Sequence, residues 1–414
     1  PERLSEVYPP LDVVLGPDTE YSHLFNANYG AGAAIQEEVG LYHTWQYALF
    51  KNMFGRLLVS KYRTRDPTEA DAFIIPFDIG AHGYMDELTG RTRRGGHFAA
   101  MATSYLEIAS KDPVLWRNQG HDHFVITGLT AFHLTGVKVT KFLGGACQNC
   151  TVLTIETTPG LYGSDRRYGH KWWYAVPYPS SFHWNEKIPP GKEPWRMRSE
   201  KDTFFIFCIG SVKTLTAEST RLRRVLYNQC NEENSASSCM WHQISHASNG
   251  MINGTDLMTV YLRSTFCLCP PGDSYTRKAI FDSLLSGCIP VVFYRESMTQ
   301  YFWHINEKQV DDVAVYIKLS TISGENKNFI SILKAIPLDE VKKKQKAISE
   351  LAPHLQYSIV PERILAASVS NGAEGAKRPP PVWDPPFEDA NDISIKAMCS
   401  RKTIEPIAGI PVEE

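Results

Sequence analysis

The stretch that most constrains the fold is Ser264 to Phe293, STFCLCPPGDSYTRKAIFDSLLSGCIPVVF. Thr265 to Cys269 reads as a strand, and Pro270-Pro271-Gly272 turns the chain. Asp273 or Ser274 can cap a helix that runs to about Ser286. Gly287 supplies a left-handed stop, and Ile289 to Phe293 is the next buried strand. This order is a βαβ unit with a polar loop at the carboxyl end of its first strand, where open α/β sheets bind ligands. The helix start presents free amides and the positive end of the dipole, and Arg277 sits in its first turn. Together they suit a diphosphate. A structural reading stands beside this one: Lys278 and Asp282, at i,i+4, form only a surface ion pair, and Arg277 is only solvated. No GxGxxG follows a strand and there is no Walker loop, so dinucleotide and P-loop chemistry are disfavoured.

The same alternation recurs along the chain. Residues 1–40 are rich in Pro, Gly and Asn and read as an irregular arm. Leu41 to Lys61 has helical spacing, with Trp45, Leu49, Met53 and Leu57 on one stripe. Ala72 to Phe77, His123 to Thr127 and Val152 to Glu156 read as strands, with a helix over Gly96 to Ala109. A parallel sheet with crossovers follows. Pro177, Pro179, Pro189, Pro190 and Pro194 then exclude regular structure and mark an interdomain crossing. A strand at Thr203–Ser211 and a helix over Thr216–Cys230 open a second α/β domain. A second Pro-rich stretch precedes a closing helix over Asp389 to Ser400. The expected division is an N-terminal domain over 1–180, a linker over 181–200, a second domain over 201–372 and a closing segment over 373–414.

A formal charge of −2 argues against a nucleic-acid surface. No apolar run approaches the ~18 residues that span a bilayer. The chain begins at Pro1, and any membrane anchor is expected before it. Nine cysteines are too few for a disulfide scaffold in 414 residues. Cys230 and Cys239 nevertheless bracket a Ser- and Asn-rich stretch suited to a loop-closing bridge. Asn149-Cys150-Thr151 and Asn253-Gly254-Thr255 are glycosylation sequons. These features favour an oxidising secretory compartment. His121-Asp122-His123 is the nearest approach to a metal cluster, but adjacent residues of a strand point to opposite faces.

The 264–293 segment closely resembles the exostosin family, in particular its plant xyloglucan galactosyltransferase branch. Phe-Cys-Leu, Pro-Gly-Asp-Ser-Tyr-Thr-Arg, Phe-Asp-Ser and Gly-Cys-Ile-Pro-Val recur there in this order. So do Thr299-Gln300-Tyr301-Phe302-Trp303-His304, Arg63-Thr64-Arg65-Asp66-Pro67, Asp122-His123-Phe124 and Pro177-Tyr178-Pro179. The resemblance implies a GT-B architecture, two Rossmann-like domains facing across a cleft, with the donor bound by the second and the acceptor by the first. It implies an inverting hexosyltransferase, with UDP-galactose as the expected donor, that decorates a polysaccharide or glycan from the Golgi lumen as a type II membrane protein. No cofactor or metal is implied, and a homo- or hetero-oligomer is compatible with it.

Carried onto this chain, the resemblance puts Arg277 at the donor diphosphate and Asp282 at the ribose hydroxyls. Ser274, Tyr275 and Thr276 would add hydroxyls and amides, and Gly210, Ser211 and Lys213 a second phosphate-facing loop. Inversion is one in-line displacement, so a base must take the acceptor proton while cationic groups receive the leaving diphosphate. Glu156, at a strand end and matched by a Glu in the related branch, is the candidate base; Asp78 and His82 are rivals. Trp172 and Trp173, with Asp78 and His82, are candidate acceptor contacts, and His123 is equally such a contact or a satisfied core histidine. Residues 80–100 and Tyr162–Trp173 depart from the branch, which leaves the acceptor open. The competing reading is a GT-B pseudoenzyme that binds glycan or supports a partner transferase.

Overall fold

The computed structural model describes residues 27–64, 66–78, 96–130, 142–143, 145–157, 173–196, 205–214, 216–232, 238–243, 255–323, 327–370 and 381–400. A short antiparallel pair, β1 (Ala34–Gln36) and β2 (Leu41–Tyr42), precedes two parallel sheets. The first holds β3 (Phe73–Ile74), β4 (His123–Thr127), β5 (Thr151–Thr154) and β6 (Trp173–Ala175), in that order. The second holds β7 (Ile206–Ile209), β8 (Cys239–His242), β9 (Phe266–Leu268), β10 (Ile289–Val292) and β11 (Val315–Tyr316), ordered β11-β10-β9-β7-β8. Every residue of β4, β5, β7, β9 and β10 is buried. That is the burial expected of parallel strands covered on both faces, and it explains their near-continuous apolar runs. The mixed α/β class is present, and the two parallel sheets agree with the GT-B architecture that the resemblance implies.

Local boundaries shift for identifiable reasons. The helix expected from Leu41 begins at Leu49 and ends at Val59. Leu41 and Tyr42 instead pair with β1, and the Tyr42 amide donates to the Ser181 carbonyl at 2.9 Å, so the arm is stitched to the crossing segment. The buried face of helix Leu49–Val59 holds Leu49, Asn52, Met53 and Arg56, whereas Leu57 is only half-buried. The expected apolar stripe is therefore rotated toward two polar residues. Arg56, fully buried, is the cause.

Arg56 reaches the far end of the chain. Its Nη2 lies 2.9 Å from Asp392 Oδ1 and 3.5 Å from Asp384, its Nε 3.6 Å from Asp389, and its Nη1 donates to the Trp383 carbonyl at 2.5 Å. The Trp383 ring covers the guanidinium at 5.1 Å. Asp389 also caps the closing helix Ala390–Cys399 in a capping box with Asp392. The closing segment thus packs on the N-terminal half.

Burial pushes Asp389 up to about 6, against the pull of Arg56. A raised carboxyl favours the folded state below its unfolded value, and that contribution is lost as pH rises through about 6. Stability from this group is therefore expected to rise by about 1 kcal/mol between pH 7 and pH 5. Urea denaturation at the two pH values should show it, and Asp389→Asn, which keeps a capping side chain, should flatten the difference.

The structure bridges Cys230 to Cys239, the pair read from the sequence, and adds Cys147–Cys150 and Cys267–Cys288. Cys208, Cys269 and Cys399 are free. Among the described residues no helix is long and apolar enough to cross a membrane.

Candidate active site

In the second sheet the strand order reverses between β7 and β9, because β8 lies outside β7 while β10 and β11 extend beyond β9. That reversal opens a crevice at the carboxyl ends of β7 and β9, the place where a doubly wound sheet binds ligands. Gly210-Ser211 leaves β7 there and Pro270-Pro271-Gly272 follows β9. Arg223, 1% exposed on helix Ala217–Cys230, ties both loops together. Its Nη1 donates to the Ser211 carbonyl at 2.5 Å, its Nε to Pro271 at 2.7 Å and its Nη2 to Pro270 at 2.9 Å. Burial, then the neighbouring Arg277, holds this guanidinium well below the usual arginine range. The guanidinium donates to carbonyls, and Asp273 is a carboxylate that acts on its charge.

Arg277 adds a second positive charge. It stands at the start of helix Lys278–Leu285, with its guanidinium against Gly272, where an added Cβ would lie 2.3 Å from Nη1. Gly272 is what lets the arginine fold over the loop. Among the described residues the Arg277 side chain makes no hydrogen bond or ion pair. The helix begins at Lys278 rather than at Asp273 or Ser274. Ser274 does not cap it, because its hydroxyl is drawn across to the first domain.

That crossing is the seam of the site. Ser274 Oγ donates to Glu156 Oε2 at 2.5 Å, and the Tyr178 hydroxyl donates to the same oxygen at 3.0 Å. The Tyr301 hydroxyl donates to the Ile155 carbonyl at 2.7 Å and bonds Thr276 Oγ1 at 3.0 Å. Gln300 accepts from the Thr157 amide at 2.9 Å. The carboxyl ends of the two sheets therefore face each other, with Glu156 just after β5, 1% exposed, opposite the loop that carries Arg277. Burial, then the Glu156 carboxylate, raises Tyr178 well above the ordinary phenol range, which keeps it a neutral donor. Asp78, also fully buried, follows β3 at the same edge and acts on the charge of Lys51. Tyr275 packs its ring on Tyr294, 4.5 Å between centroids. Lys213 is exposed beside a cavity of about 410 Å3 lined also by Thr214, Thr216, Thr220 and Arg224.

Three expected contacts fall elsewhere. Asp282, read as a ribose ligand, is 3% exposed. Its Oδ1 accepts from Ser180 Oγ (2.7 Å), the Ser181 amide (2.9 Å) and Lys278 Nζ (2.9 Å), so the carboxylate is committed to the crossing segment. His123 opens β4 and Trp173 opens β6, at the edge of the first sheet opposite the crevice. His123 is fully buried, bonded to Asp122 at 2.9 Å and stacked on Phe73, so it is a packing residue rather than an acceptor contact. His82, Trp172 and Asn253 lie outside the described residues.

The amino-acid sequence matches the exostosin GT47 domain over residues 15–333. The chain belongs to the exostosin GT47 family. A probable xyloglucan galactosyltransferase of Arabidopsis thaliana is 29% identical to this exostosin-family chain, over 80% of it and 76% of the relative. A xyloglucan galactosyltransferase of the same plant is 28% identical, over 84% of this chain and 61% of the relative. A xyloglucan-specific galacturonosyltransferase, also from Arabidopsis, is 28% identical over 77% and 46%. The family is one of glycosyltransferases, so a sugar donor and a polysaccharide acceptor are its substrates.

Arg223 escaped notice in the sequence, and Tyr178 and Tyr301 stood out there as members of motifs shared with the family. Arg223 sits in the run Arg221-Leu222-Arg223-Arg224, where only the spacing to the buried Leu226 and Cys230 hints that it faces inward.

Proposed function

We propose that this exostosin-family chain transfers a hexose from a UDP-sugar to a hydroxyl of a polysaccharide, with inversion. The observation that carries the reading is the pair Arg223 and Arg277 at the β7/β9 crevice, facing Glu156 across the seam. Arg277 and the amides at the helix start would receive the leaving diphosphate, and Arg223 would hold both loops in register for it. Glu156 is the proposed base: it would take the acceptor proton as the acceptor oxygen attacks the anomeric carbon and the carbon–phosphate oxygen bond breaks. Tyr178 and Ser274 both donate to the Oε2 oxygen and so fix the orientation of the carboxylate. Galactose is the proposed donor sugar, and galacturonic acid its rival. The oxidised cysteine pairs support work in the secretory lumen, which we assign to the Golgi.

UDP release should be measured with UDP-galactose, UDP-galacturonic acid and other UDP-sugars, each with and without xyloglucan oligosaccharides. Acceptor-dependent release with one hexose donor is the expected result. UDP binding with no turnover on any donor would favour the pseudoenzyme reading. Cationic side chains are proposed to do the work of a bridging metal, so EDTA should leave the rate within about twofold. Strict manganese dependence would overturn that part. Glu156→Gln should lower kcat by about 10²–10⁴-fold, the span of a lost general base, with UDP affinity little changed. Unchanged kcat would pass the role to Asp78 or another carboxylate.

A further inference from the structure

At the edge of the first sheet away from the crevice, β4 and β5 begin side by side, and the turns leading into them enclose a cavity of about 250 Å3. Trp116, Gln119 and Gly120 form one wall; Gln148, Asn149 and Cys150 form the other. The first wall uses backbone that few residues tolerate. Gln119 holds φ +53° and Gly120 φ +87°. A Cβ at Gly120 would lie 2.9 Å from the Trp116 ring, so the indole packs on the turn only because residue 120 lacks a side chain. A left-handed glutamine is a local cost that the surroundings must maintain, and such positions gather where ligands are held. The Cys147–Cys150 bridge closes the second wall, and Asn149 Nδ2 donates to the Gln119 carbonyl at 3.1 Å, tying the walls together.

Asn149 is also the first residue of a sequon, and Thr151 is its third. Thr151 is 1% exposed in β5, and its hydroxyl has no hydrogen-bond partner. Valine has the same shape and would avoid burying an unpaired hydroxyl, so packing does not explain the threonine. The sequon does, because it requires a hydroxyl two residues after the asparagine.

We propose that Asn149 carries an N-linked glycan whose first N-acetylhexosamine ring packs in this cavity against Trp116. In the transfer Nδ2 bonds to C1 of a sugar carried on a lipid diphosphate, the C1–oxygen bond breaks, and the Nδ2 proton leaves with the lipid diphosphate. The linked amide keeps one N–H, which continues to donate to Gln119. An aromatic face flanked by glutamine amides suits a ring with an apolar face and a polar rim. Transfer precedes folding, since the folded chain bridges Cys150 and buries Thr151. The glycan projects from the edge opposite Glu156 and leaves the crevice open.

The inference rests on the luminal reading above, so the test is made in a eukaryotic secretory host, where every sequon meets the lumen. Enzymatic deglycosylation in ¹⁸O-water followed by peptide mass spectrometry should convert Asn149 to labelled aspartate. On the folded protein, release at Asn149 should run about tenfold faster in Trp116→Ala than in the parent, the size of one lost ring contact. If that variant does not fold, proton NMR of the parent's N-acetyl methyl should show an upfield ring-current shift that collapses on unfolding. Unmodified Asn149 beside a modified Asn253 would overturn the proposal and leave the luminal assignment standing. A modified Asn149 with no shift and no change of release rate would overturn the packing.

Discussion

Arg277→Ala is expected to lower transfer by roughly 10²–10³-fold, the effect of removing one charged donor from a leaving group in a dry site. The fold should survive the change, because among the described residues the side chain makes no hydrogen bond or ion pair that its loss would break. Arg277→Lys should recover only part of the rate, since an ammonium is a point charge and cannot bridge two phosphate oxygens as a guanidinium does. Turnover, UDP affinity by calorimetry and a thermal melt on each variant separate the site role from a folding defect. Near-normal turnover in Arg277→Ala would remove the diphosphate assignment.

Arg56→Ala should cost about 3–5 kcal/mol of stability, the usual cost of breaking a buried pair from one side. Asp389 and Asp392 would be left buried with no cation against them, and the Trp383 ring and carbonyl would lose the group they hold. The loss should appear as a large fall in the urea midpoint. It should be smaller at pH 5 than at pH 7, because Asp389 takes up a proton near pH 6 and no longer needs a partner. A cost below about 1 kcal/mol would mean that the cluster is solvated, as exposed pairs are.

The βαβ unit at 264–293 was legible because parallel strands buried on both faces write their own signature, and Gly287 marks the helix end with a left-handed φ of +69°. The closing helix was legible for a similar reason, since Asp389 and Asp392 form a capping box that local sequence can specify. What the sequence hid were contacts made over long separations. Nothing near Ser274 says that its hydroxyl will serve Glu156, 118 residues earlier, instead of capping its own helix. Asp282 looked like a ligand because the family's acidic position falls on it, yet it is claimed by Ser180 and Ser181. His123 stayed open between acceptor contact and core packing for want of direction: a residue that opens a strand and one that closes it look alike until the sheet shows which edge bears the crevice.

The return of the chain's end to its beginning fixes an order of events during synthesis. Arg56 and Asp392 are separated by 336 residues. At translation rates of about 5–20 residues per second, roughly 20 s to a minute pass between the emergence of the cation and that of its counterion. During that interval the site around Arg56 lacks its counterions, so that site cannot be completed until helix Ala390–Cys399 is delivered. Chains that stop before Asp384 lack every acidic partner that Arg56 has among the described residues, and would bury or expose that cation uncompensated.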